Sequence, residues 1–309
     1  MYWLIDIIKN NTGDSIVSGA PGILRLLLGF SLLWKFALES HRGYFEYFKP
    51  HTYLFSFYQA PRRGKGKLNE RIWKLLYVLK VIAAPLLMLG IVPKLCILAL
   101  MAWFALEMRI YFKYHANFFF LLLIALLTSD SMSTSFSLPL YLASGSFHDF
   151  VVSSISTKDS MLPHFLVIAT VCSMYFFTAI HKANKRFISG EVVSRTLHLI
   201  EQSRPFRKHF DFWIPGVTLR LLAKPSGEPT SFLFVLMVFT WVSELLLLPI
   251  GLNLKFLQPA AILSGVALHL GFLIMFPAAL LHFSLISISC YLMFVDPKVL
   301  ASVLMKITH

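Results

Sequence analysis

Lys182 and His115 are the residues of this chain best placed for proton chemistry. Lys182 closes an apolar run (YFFTAIHKANKRF), and His115 opens another (FKYHANFFFLLL). A lysine just inside an apolar boundary loses part of its hydration, and such an amine can serve as a base near neutral pH. A neighbouring histidine can donate to a developing anion. Further ionisable groups lie inside apolar runs: Arg25, Lys80, Glu107, Glu244, His269 and His282, with Lys35 close to a run's end. At membrane depth each is costly and marks a functional site or a buried partner. Arg25, Glu107 and Glu244 are expected to form pairs between helices, His269 and His282 to make interhelical hydrogen bonds, and Lys35 to snorkel. Cys96, Cys172 and Cys290 read as small side chains inside apolar runs, and no Cys/His spacing suggests a metal site.

The elements that must hold these residues are read from hydropathy. Hydrophobic residues make up 57% of the 309 residues and charged ones 14%, with a mean hydropathy of +0.70. A soluble domain carries roughly 25% charged residues, so the expected fold is all-α: one polytopic helical bundle over 1–309, embedded in a lipid bilayer. Apolar runs near 19–38, 73–91, 93–112, 115–129, 162–180, 231–250, 257–276 and 277–295 predict about eight transmembrane helices. The N-terminal MYWLIDIIKN carries Asp6 and no cleavage-site pattern; it reads as a short interfacial helix rather than a signal peptide.

Charge orients this bundle. Connections 39–72 and 181–230, with the short link near 109–114, hold eighteen Lys and Arg residues, and the opposite side holds six. With eight helices, all three basic segments fall on one side, which the positive-inside rule makes cytoplasmic, with both termini outside. The net charge of +13 is thereby assigned to topology and anionic headgroups, not to nucleic acid. Connections 39–72 and 181–230 read as membrane-surface segments. The first contains an aromatic-dense stretch, 44–58, suited to the headgroup boundary or to a lid over an aromatic, quinone-like ligand. The second contains 191–200, where Val193, Thr196, Leu197 and Ile200 form the apolar stripe of an interfacial helix.

Several segments together resemble the horizontally transferred transmembrane (HTTM) domain, the membrane part of vitamin K-dependent gamma-carboxylases. The ILRLLLGF of 23–30 is similar to that family's opening Arg-x-Leu-Leu-Gly helix, and HANFFFLLL of 115–123 to its Asn-His-aromatic helix start. FFTAIHKANKRFISG of 176–190 resembles the stretch that ends in an aromatic, an aliphatic residue and Gly after a Lys-Lys-Leu-Asp core, and Glu244, His269 and 282–297 follow the closing helices. The resemblance implies that Lys182 is the base that deprotonates a reduced naphthoquinone and that His115 belongs to the same site. It brings Arg25, His181, Glu244, His269 and His282 in as pocket candidates. Two positions depart from the family pattern: His181 stands for its first lysine and Asn184 for its aspartate. The large extramembrane domain of the carboxylases has no counterpart in these 309 residues.

The expectation is an integral protein of a bacterial cell membrane that performs lysine-assisted, quinone-linked modification of a peptide or small substrate. The alternative is a non-catalytic membrane module, either a carrier or a partner in peptide maturation or export.

Overall fold

The computed structural model describes residues 15–17, 19–41, 70–110, 114–202, 216–275 and 277–308. The expected helix at 1–10 and the aromatic stretch 44–58 lie outside them. The chain divides into two compact units, residues 1–170 with 292–309, and residues 171–291.

In the first unit, α1 (Ala20–His41), α2 (Glu70–Leu89), α3 (Pro93–Ile110) and α4 (Tyr114–Leu127) pack each against the next. Leu24, Leu28, Leu32 and Phe36 recur every four residues, so α1 buries one continuous stripe. Phe36 continues to Phe104 of α3, which stacks on Phe119 of α4 with ring centroids 5.6 Å apart. Gly29 lets α1 touch the α2 backbone, since a Cβ there would sit 2.5 Å from the Met88 nitrogen.

The serine-rich connection folds into α5 (Leu138–Ala143) and α6 (Phe147–Ile155), capped by Ser137 and Ser146, whose hydroxyls accept from the Leu140 and Asp149 amides. A short ladder adjoins it within the otherwise all-helical fold. β1 (Ser15–Val17) pairs antiparallel with β2 (Lys158–Ser160), Ile16 opposite Asp159. The buried Asp159 carboxylate anchors β2 by accepting from Ser129, from Ser131 at 2.6 Å and from the Asp130 amide at 3.0 Å. Polar side chains, rather than apolar alternation, hold this ladder in place. A late helix, Pro297–Ile307, packs on α6.

The second unit takes over α7 (Leu162–Lys182) from Val171 onward and continues through α8 (Lys185–Ile188), α9 (Glu191–Gln202) and α10 (Gly216–Leu222). It closes with α11 (Ser231–Val242), which widens into π-helix over Ser243–Gly251, then α12 (Gln258–Met275) and α13 (Pro277–Cys290). The stripe of α9 packs largely on protein. Leu197 is fully buried in a cluster with Leu222, Leu233 and Met237, with Val193 and Ile200 packed beside it. Thr196 falls on the exposed face, together with Val192 and Leu199.

Helices occur at all eight expected runs. Among the described residues four of them, Ala20–His41, Arg71–Leu89, Leu162–Lys182 and Ser231–Gly251, are long and apolar enough to cross a membrane. Of the others, α3 carries Lys94, Glu107 and Arg109, and α4 and α13 are short. The 14 residues of α4 and of α13 rise only about 21 Å at 1.5 Å per residue, against a hydrocarbon thickness of about 30 Å.

Candidate functional site

Tyr175 and Lys182 are seven residues apart on α7 and therefore share a face. Glu244 opens the π-helical turn that follows α11, a kind of local widening that recurs at functional sites. The Lys182 ammonium donates to both carboxylate oxygens of Glu244, at 2.6 and 2.7 Å. The Glu244 side chain is 2% exposed and that of Lys182 19%. Phe187 and Phe272 flank the ammonium at 5.3 and 5.9 Å. Trp241 ties the two helices together by donating to the Ala179 carbonyl at 3.1 Å.

A second polar chain runs through the same unit. The Tyr175 hydroxyl lies 2.8 Å from Nε2 of His269 and 2.6 Å from the Tyr291 hydroxyl. All three residues are buried. Gly265 makes room for Tyr291, because a Cβ on Gly265 would collide with its hydroxyl. Phe272 and Phe283 pack edge-on against the His269 ring. Phe272 joins the two chains, since it packs on the His269 ring and flanks the Lys182 ammonium. The unit thus gathers a carboxylate acceptor, a fixed cation and a phenol–imidazole chain. These are the parts needed to take a proton from a hydroxyl and to stabilise the anion left behind.

Glu244 lies thirteen residues along from Ser231, about 20 Å at helical rise. The start of α11 is covered by the α9–α10 cluster through Leu233 and Met237. Lys182 therefore sits level with the second half of this helix rather than at its end.

The sequence-derived candidates separate as follows. Lys182 and Glu244 meet directly, and His269 belongs to the adjoining chain. His282 is buried on α13. His181 is exposed, with Nδ1 2.8 Å from the Phe177 carbonyl of its own helix. Asn184, at the family's aspartate position, caps α8 by accepting from the Phe187 amide. His115 is half-buried in the first turn of α4, in the first unit. Arg25 belongs to the first unit too and pairs with no carboxylate among the described residues. Its Nη1 donates to the Leu87 and Met88 carbonyls at 2.5 and 2.9 Å, and its Nη2 to those of Ser135 and Phe136 at 3.2 and 2.7 Å. It caps the C-terminal end of α2, where carbonyls lack helical partners.

Tyr175 and Tyr291 were not foreseen. The seven-residue spacing to Lys182 was a usable signal for Tyr175. Nothing comparable marked Tyr291.

The first unit holds a separate ionic cluster. Glu39 bridges Lys35 and Lys80, the latter at 2.9 Å, and Lys35 also lies 3.4 Å from both oxygens of Glu107. Lys35 is 5% exposed, so it is buried among carboxylates and does not snorkel. The Lys80 ammonium is boxed by Trp103, Phe36 and Tyr77 at 3.8, 4.4 and 4.5 Å. Trp103 in turn donates to Glu107 at 3.2 Å.

No family model, no curated protein and no solved structure matches this chain.

Proposed function

We propose that the chain is a polytopic integral membrane protein of the HTTM type, with eight spans and the basic face of a bacterial cell membrane protein turned to the cytoplasm. On this reading its second unit handles protons for a membrane-borne hydroquinone. The observation that carries the chemical part is the buried Lys182–Glu244 pair beside the Tyr175–His269–Tyr291 chain. The membrane part is supported by apolar residues exposed along the length of the helix from Ser231 to Gly251: Phe232, Val235, Phe239, Val242, Leu246 and Ile250.

The residues present fit an aromatic diol. Phe187 and Phe272 offer ring faces next to the ammonium, and the tyrosine hydroxyls offer hydrogen bonds. A bound hydroquinone supplies an acidic O–H. Glu244 then takes the proton on a carboxylate oxygen, and Lys182, released from that oxygen, holds the negative charge. The family resemblance makes Lys182 the base. With its ammonium donating to both oxygens of Glu244, the roles divide better as carboxylate base and lysine counter-charge. In the gamma-carboxylase resemblance this proton transfer precedes oxygen-dependent modification of a peptide, which remains the proposed substrate class beside a small molecule.

The test uses full-length protein in lipid nanodiscs with a reduced naphthoquinone. Wild type is expected to bind it, by quenching of Trp241 fluorescence, and to consume it in the presence of oxygen. Glu244→Gln should keep binding but lose about 100-fold or more in turnover, the usual worth of a general base. Failure of the wild type to bind, or a folded Glu244→Gln at wild-type rate, overturns the proposal. The second reading, a non-catalytic module, draws on the same closed ion pair. There Glu244→Gln lowers stability and no hydroquinone binds.

A further inference from the structure

Helices α12 and α13 carry buried polar atoms that the proton-handling chain does not use. Ser264 on α12 and Ser284 and Ser287 on α13 are 9%, 0% and 1% exposed, and their hydroxyls make no hydrogen bond among the described residues. The Nδ1 of His269, on a residue that is fully buried, is in the same position. A helical serine ordinarily returns its hydroxyl to the carbonyl four residues back. Ser289 on the same helix does so, donating to Leu285 at 2.7 Å. Ser284 and Ser287 do not.

Their placement is specific. Ser284, Ser287 and Tyr291 follow the i, i+3, i+7 spacing of one helix face. On α12, Ser264 adjoins Gly265, the residue against which the Tyr291 hydroxyl lies, and His269 is one turn beyond Gly265. Phe283, next to Ser284, packs on the His269 ring at 5.6 Å. Ser284, Ser287 and Nδ1 of His269 thus fall on the packed pair α12–α13 beside Tyr291, whereas Ser264 stands about 140° from His269 around α12. A buried hydroxyl or imidazole nitrogen without a partner is unfavourable in an apolar surrounding. A buried water makes about three hydrogen bonds to such groups, and these three polar atoms suit one water.

We propose that Ser284, Ser287 and Nδ1 of His269 line an internal hydrated pocket that connects the Tyr175–His269–Tyr291 chain to bulk water. Water there gives His269 a second partner on the ring nitrogen that Tyr175 does not use. A proton on the imidazole can then leave through Nδ1 while Tyr175 stays hydrogen-bonded to Nε2. The pocket rests on the reading of this chain as proton-handling for its purpose, but not for its existence.

The experiment is water-borne thiol labelling of Ser284→Cys and Ser287→Cys, conservative exchanges made in the full chain in nanodiscs with the native cysteines kept. The probe is 2-aminoethyl methanethiosulfonate, and adducts are located by peptide mass. Leu263→Cys, at a 70%-exposed apolar position, is the control in lipid. Both serine-site cysteines are expected to react at least an order of magnitude faster than the control, because only a hydrated thiol ionises and attacks. Rates no faster than the control overturn the pocket. Labelling without hydroquinone binding leaves the pocket standing and removes the functional reading. Hydroquinone turnover without labelling removes the pocket alone.

Discussion

Glu39 is the residue whose loss should damage the first unit most. It is the shared acceptor of two buried ammonium groups, and its partner Lys80 is 1% exposed. Glu39→Ala leaves Lys35 with Glu107 at 3.4 Å and leaves Lys80 with aromatic faces only. Removing one partner of a buried ion pair costs about 3–5 kcal/mol, because the other charge stays buried and uncompensated. The three rings around Lys80 offset part of this, about 2 kcal/mol for a desolvated cation–π site. The expected loss is therefore near the low end, about 3 kcal/mol, or roughly 150-fold in the unfolding equilibrium.

The double exchange Glu39→Leu with Lys80→Met removes both charges and fills the space with apolar groups. It should lie within about 1 kcal/mol of wild type, since apolar replacement of a buried pair is often neutral. Equilibrium denaturation in mixed micelles, followed by tryptophan fluorescence with Trp213 and Trp241 of the second unit replaced by Phe, reads this unit, where the Trp73 and Trp103 ring centroids lie 4.9 Å apart. A Glu39→Ala loss below about 1 kcal/mol, or a double variant as unstable as the single one, refutes the uncompensated-charge argument.

Two further substitutions probe close approach and capping. Gly265→Ala should destabilise by about 1–3 kcal/mol through overpacking against Tyr291, with part of the loss recovered by Tyr291→Phe; no recovery in thermal unfolding would deny the contact. Arg25→Lys should cost at least about 2 kcal/mol, since one ammonium cannot span four carbonyls held by a planar fork and each orphaned acceptor costs about 1–3 kcal/mol; a melting curve matching wild type would show that charge alone suffices.

The helices themselves were legible because lipid-suited sequences leave long apolar runs, and each of the eight runs holds one. The ends were less legible. The first run was closed at residue 38, which left out Glu39 and with it the i, i+4 pairing to Lys35 that makes that lysine buried. Arg25 was visible as an expensive residue, but its partners are backbone carbonyls, which carry no sequence signature. Its grouping with Gly29 in 23–30 now has a physical basis: one caps the end of α2 and the other lets α1 reach the same turn. Lys182 and Glu244 were each singled out, yet nothing in their separate runs indicated that they meet. Pairing depends on the relative level of two helices, and that level is set by what lies between them in the chain.

That level changes how a ligand reaches the proposed site. Taken from run ends alone, Lys182 stands at a water boundary, one topology lysine among several. In the second unit, however, α11 begins thirteen residues before Glu244, and α9 and α10 pack beside those first turns through Leu197 and Leu222. Arg195 and Arg220 therefore ride on helices packed beside α11 rather than on an open loop. Val242 and Leu246, two residues to either side of Glu244 and so on the far face of the helix, are 40% and 50% exposed; on the proposed reading that face is the one turned to lipid. Glu244 points the other way, to Lys182 of α7, so the proposed hydroquinone meets it between these two helices, where Phe187 and Phe272 flank the ammonium.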